Sequence, residues 1–215
     1  MKKYIWIVAI FLVVGLIVFA AVFYFKTKKQ TTTPTQIPPQ QTPVPEAKKE
    51  IYPPLDNAKS RIIKKPFGIY ITPQTSPIQP ERFSGYHTGA DFEVTSGELS
   101  KNVEVKAICD GKILEKRKLS GYGGVLVQSC TISGRPVTVL YGHVDITSPF
   151  VPDVGDSISA GKLLAYLALD KSEYSGGERK HLHLGIHKGE KIDSRGYVQD
   201  KNQLSNWIDI KSLLQ

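Results

Sequence analysis

One run near the C-terminus, His181-Leu182-His183-Leu184-Gly185-Ile186-His187, restricts the fold more than any other stretch of the chain. Side chains alternate faces along a strand, so Leu182, Leu184 and Ile186 point one way while His181 and His183 share the other. Apolar residues turned inward and imidazoles outward are what a metal-lined cleft on a sheet requires. A strand with an ordinary polar face accounts for one such histidine more readily than for two.

The surrounding texture agrees with a sheet. From about residue 51 onward, short apolar runs are punctuated by glycine, and they predict strands at Gly68–Ile71, Asp91–Val94, Val103–Cys109, Lys112–Lys118, Gly124–Ser129, Val137–Tyr141, Lys162–Leu169 and His181–His187. The expected class is all-β, a mostly antiparallel domain large enough to bury its own core. One short helix is expected at Leu204–Leu214, with Ser205 or Asn206 as its cap.

The N-terminal part has a different character. After a tail at 1–3, Tyr4 to Phe25 carries no charge; its 22 residues match the ~20 that a helix needs to span a hydrocarbon core. The stretch exceeds the about 7–15 apolar residues of a cleavable signal, and Ala20-Ala21 is followed by Val-Phe-Tyr-Phe, so an uncleaved transmembrane anchor is expected. Residues 26–50 are rich in Thr, Gln, Pro and Lys. They read as a disordered, semi-rigid spacer. The folded domain is then 51–215, with its core about 65–190.

The net charge of +8 does not indicate nucleic acid. Residues 1–50 hold seven lysines against Glu46 and Glu50, leaving 21 basic and 18 acidic residues in the domain, too even a balance for a basic footprint. The excess sits where it favours anionic lipid headgroups. The only cysteines, Cys109 and Cys130, close two apolar runs on either side of a Gly121–Gly124 turn. They fit a disulfide of an exported domain or two small buried thiols equally well.

Two further histidine elements precede the first. His87-Thr88-Gly89-Ala90-Asp91 cannot bring both outer residues to one ion as a regular strand, since they would lie ~13 Å apart; a bend is expected, with Gly89 supplying the permissive backbone. Tyr141-Gly142-His143 ends an apolar run beside a glycine. Either element alone is unremarkable.

Together, HxGxD, YGH and HLH in this order resemble the M23 family of zinc metallopeptidases, the lysostaphin and LytM group of peptidoglycan endopeptidases. Val105–Ile113, Gly121-Tyr122-Gly123-Gly124 and Val154–Gly161 fall where that family has its strand and turn signatures, so the resemblance covers roughly residues 65–190. It implies a barrel-sandwich-like domain of the lysostaphin/LytM type. It assigns His87, Asp91 and His183 as ligands of one Zn2+ per chain and His143 and His181 as catalytic residues. His187 matches no functional position and reads as surface. The implied activity is hydrolysis of peptide bonds in peptidoglycan cross-links or stem peptides by a zinc-activated water, with histidine replacing the glutamate base of HExxH enzymes. A monomer anchored in the cell membrane, with the domain on the cell-wall side and peptidoglycan as partner, follows from the same resemblance. Turns such as Ala107–Ile113 also resemble lipoyl-like modules, so a non-catalytic LytM-like or barrel-sandwich binding module, an amidase activator or adaptor, is the alternative. Whether residues 51–86 mask the cleft is open, and residues 170–180 are expected to shape substrate preference.

Overall fold

The computed structural model describes residues 51–214. The expected anchor at 4–25 and spacer at 26–50 lie outside the described residues, within which no helix is long and apolar enough to cross a membrane. In chain order the strands are β1 (Tyr70–Ile71), β2 (Gly85–His87), β3 (Gly89–Glu93), β4 (Glu104–Lys106), β5 (Gly111–Leu119), β6 (Gly123–Ile132), β7 (Arg135–Gly142), β8 (Val144–Asp145), β9 (Ser157–Ile158), β10 (Leu163–Leu167), β11 (His181–Lys188), β12 (Tyr197–Val198) and β13 (Trp207–Ile208). A single turn of α-helix, α1 (Ala58–Arg61), precedes them.

The largest sheet runs β13-β11-β7-β6-β5-β9, and β3 pairs with β11 on the same edge as β13. Two three-stranded sheets, β1-β2-β12 and β4-β10-β8, complete the domain. The pairings are antiparallel, as the short, glycine-bounded apolar runs predict.

Alternation decides what each face meets. Leu182, Leu184 and Ile186 of β11, Phe92 of β3, Leu126 of β6 and Tyr141 of β7 turn to one side. There they bury against Val105 of β4, Val144 of β8 and Leu164 and Ala165 of β10. Leu55, Ala58 and Ile62 close this core from the N-terminal side, and Ile210 and Leu214 from the C-terminal side. The opposite face carries a smaller cluster of Tyr122, Val125, Val127 and Leu140, beside which the histidines lie.

Three expectations are corrected. The imidazoles of β11 do not face solvent: both faces of the strand are buried as far as Ile186, because loops cover the histidine side. His187 is half-buried rather than superficial, its ring meeting Trp207 edge-on at 4.9 Å. The terminal helix is replaced by a 3-10 turn at Lys201–Asn206, strand β13 and a second 3-10 turn at Ile210–Ser212. Asp200 and Asp209, not Ser205 or Asn206, cap those turns through Asn202 N and Lys211 N, and pairing of Trp207 with β11 interrupts any continuous helix. The hairpin around Gly121–Gly124 is made by β5 and β6.

Cys109 and Cys130 form a disulfide. Cys109 lies in the turn leading into β5 and Cys130 on β6, so the bond ties that turn to the hairpin's second strand.

Candidate metal centre

Strand register assembles the site. Across the β11–β3 pair His183 stands opposite Asp91 and His181 opposite Glu93, which places two imidazoles and two carboxylates on one face. His87 belongs to a separate strand, since the chain breaks at Thr88 between β2 and β3. The expected bend is there, but Gly89 serves it differently. It does not adopt a left-handed backbone. A Cβ at position 89 would lie 2.6 Å from Leu184 O and 2.7 Å from His183 Nε2, so glycine is required by close approach.

Three donor atoms converge. His87 Nε2 lies 3.0 Å from His183 Nδ1 and 3.4 Å from Asp91 Oδ1, and the last two are 3.2 Å apart. Ligands of a tetrahedral ion with bonds of ~2.0–2.1 Å are separated by about 3.3 Å, so this triangle fits zinc without rearrangement. All three residues are buried. Their remaining nitrogens are engaged as well: His87 Nδ1 meets Pro66 O at 3.3 Å and His183 Nε2 meets Tyr122 Oη at 3.2 Å. Such partners fix ring orientation and tautomer in metal sites.

The two other predicted residues flank the triangle. His181 Nε2 is 3.3 Å from Asp91 Oδ2, while its Nδ1 donates to Arg179 O at 2.8 Å. His143 follows β7, and its Nδ1 donates to Ser175 O at 2.9 Å. Its ring centroid stands 4.3 Å from that of His181. His143 has φ 61°, a left-handed conformation that costs a non-glycine residue ~1–3 kcal/mol and that turns the side chain out of the strand into the cleft. Thus all five predicted residues meet in one place, and Asp91, His143, His181 and His183 stand on the wall of a cleft also lined by Phe83, Tyr122, Arg179 and Tyr197.

Burial favours neutral His143 and His183 beside an ionised Asp91. Burial opposes charge on Asp91, but the imidazoles of His181 and His87, with hydrogen bonds from His181 and His183, hold its carboxyl well below the usual range. Burial pushes His183 down to about 4, and burial with neighbouring His181 sends His143 well below its ordinary value. Deprotonated nitrogen and carboxylate are the forms that bind a metal.

Three side chains at the site escaped the sequence reading. Tyr122 is buried, and a Cβ on Gly142 would come within 2.5 Å of its ring, so the YGH glycine admits the tyrosine that touches His183. Its signal in the sequence is Gly121-Tyr122-Gly123-Gly124, which by itself marks only a turn. Tyr197 stacks on His87 with centroids 5.1 Å apart, and no pattern in the sequence marks it. Arg179, within the 170–180 segment expected to shape substrate preference, donates to Asp91 Oδ2 at 3.0 Å.

A sheet-borne triangle of two imidazoles and a carboxylate, with two more imidazoles alongside, defines a candidate metallohydrolase. The family model Peptidase family M23 matches residues 85–194, and the chain belongs to that family. Among solved structures, LytU is 27% identical, with 72% of this chain and 91% of that chain covered and a TM-score of 0.45. Helicobacter pylori Csd3 is 18% identical with a TM-score of 0.43, covering 70% of this chain but 35% of its own. A zinc containing peptidase from Vibrio cholerae is 19% identical, covering 60% and 37% respectively with a TM-score of 0.36. The chain therefore spans about a third of those two longer proteins. A search of curated proteins gives no match.

Proposed function

We propose that the protein is a zinc-dependent endopeptidase that hydrolyses peptide bonds in bacterial peptidoglycan, with His87, Asp91 and His183 as ligands and His143 and His181 as catalytic residues. The observation that carries the reading is the donor triangle of 3.0, 3.2 and 3.4 Å with two further imidazoles beside it. Membership of a peptidase family supports the reaction class, and the sequence's likeness to the lysostaphin and LytM group supports the substrate.

A zinc ion at the triangle supplies a Lewis acid that polarises the scissile carbonyl and lowers the pKa of water. The chain's own residues do the rest. His143 and His181 each give Nδ1–H to a main-chain carbonyl; this leaves His143 Nε2 basic, while His181 Nε2 faces Asp91 Oδ2 at 3.3 Å. One accepts a proton from the attacking water and returns it to the leaving amine, and the other orients that water. Such general acid–base help is worth about 10²–10⁴ in rate. Phe83, Tyr122 and Tyr197 give the cleft apolar walls that limit water around the reacting groups.

The disulfide supports an oxidising location, in keeping with an anchored enzyme whose domain acts on the cell-wall side, as a monomer. The deciding experiment is digestion of purified peptidoglycan by the full chain, with and without chelator, followed by mass analysis of the fragments. New peptide termini that vanish with chelator and return with zinc are expected. A protein that binds zinc yet releases no fragments would instead be the envelope binding module.

A further inference from the structure

We propose that Arg179 is a positioning residue of the metal centre, holding Asp91 to a single metal-facing oxygen. The inference rests on reading the triangle as a zinc site. Asp91 Oδ1 is the oxygen turned to His87 and His183. Its other oxygen, Oδ2, accepts from Arg179 Nη2 at 3.0 Å. Arg179 Nε in turn lies 3.1 and 3.0 Å from the two oxygens of Glu93, and Nη2 also donates to Glu93 Oε1. The guanidinium is thus wedged between two carboxylates that share one face of β3 two residues apart.

Burial makes the wedge consequential. Asp91 and Glu93 are 2% and 7% exposed, so the arginine supplies charge compensation that water cannot. Lys64, the other cation near Glu93, stands 3.5 Å off on a side chain that is 43% exposed. A carboxylate with both oxygens free can swing to chelate an ion or turn away from it. The planar fork of arginine, itself pinned by Glu93, blocks both motions.

A role for Arg179 in gripping a substrate carboxylate fits less well. Its side chain is 14% exposed and already shared by two anions, so little of its charge is on offer. Its main chain acts separately: Arg179 O accepts from His181 Nδ1, a contact that side-chain substitution leaves in place.

The test measures zinc dissociation constants of the full chain by competition with a chromophoric chelator, beside thermal unfolding of the metal-free protein. Arg179→Gln is expected to weaken zinc binding about 10–100-fold. Arg179→Lys recovers only part of this, because an ammonium cannot fork between two carboxylates. The double variant Arg179→Gln with Glu93→Gln removes both charges and is expected to regain metal-free stability while zinc affinity stays low. Wild-type zinc affinity in Arg179→Gln, or its full return in the double variant, overturns the proposal. Absence of zinc binding by the unaltered protein would instead overturn the underlying reading of the site.

Discussion

Every imidazole around the triangle is steered through its second nitrogen. Pro66 O and Tyr122 Oη orient His87 and His183, while Ser175 O and Arg179 O orient His143 and His181. This division predicts unequal consequences of substitution. His183→Ala removes a corner of the triangle and should abolish zinc binding, whereas His181→Ala should retain zinc and lose about 10²–10⁴ in rate. Metal analysis beside peptidoglycan turnover checks this, and equal zinc loss in both variants would refute the assignment. Proton linkage gives a second expectation. His183 in the folded protein titrates near 4, below the ~6.5 of an unfolded chain, so its neutral form is the one folding favours. That contribution is complete above about pH 6.5 and disappears as pH falls towards 4. Asp91, also depressed, acts in the same direction at lower pH. Melting of the metal-free protein should therefore move to lower temperature on acidification across this window; an unchanged midpoint would contradict it.

At the level of elements, β11 is the organising strand. It pairs with β3 and β7 at once, so His183 lies opposite both Asp91 and Gly142. Each flanking glycine answers to that crowding rather than to a turn: Gly89 clears the His183 ring, and Gly142 clears Tyr122. Gly89→Ala is expected to displace His183 and weaken zinc binding at least 10-fold, because one contact of the added Cβ is with backbone that cannot yield. Isothermal titration with zinc reads the effect, and wild-type affinity would show that the ring can move aside. Most strands were legible in the sequence because alternation and glycine breaks are local signals. Of the two- and three-residue strands, β1 and β4 lay within longer apolar runs, but β2, β8, β9, β12 and β13 were not legible, since so short a piece alone holds no period. The expected terminal helix failed for a related reason. Leu204–Leu214 has helical spacing, but Trp207 gains more by pairing with β11 beside His187 than the segment gains from helical bonds.

For the molecule as a whole, the large sheet separates two environments, a core on one side and the histidine cleft on the other. The disulfide is buried within the larger core and closes a chain separation of 21 residues. Loop-closure entropy for that span is worth about 3 kcal/mol. Replacing both cysteines by serine should lower the melting temperature by that order of stability while leaving zinc affinity intact. Loss of zinc binding would place the bond's influence in the site itself. Residues 51–71 belong to the same body: Ile51, Leu55, Ala58, Ile62 and Ile71 are buried, and Lys65 O accepts from Asp91 N at 3.0 Å. Lys65, Phe83 and Ser84 line the cleft, so the chain before His87 helps to build the site.

The sequence by itself determined the strand-rich class, the five histidine and aspartate positions and the family to which they belong. Those follow from residue type and spacing, which are properties of the chain before it folds. Tertiary structure alone decided that the imidazoles are buried rather than exposed, that Gly89 is needed for clearance, that Cys109 and Cys130 are joined, and that Tyr122, Arg179 and Tyr197 each touch a side chain of the His87–Asp91–His183 triangle. Contacts between residues far apart in the chain depend on register and on which loops close over a face. No local period encodes them.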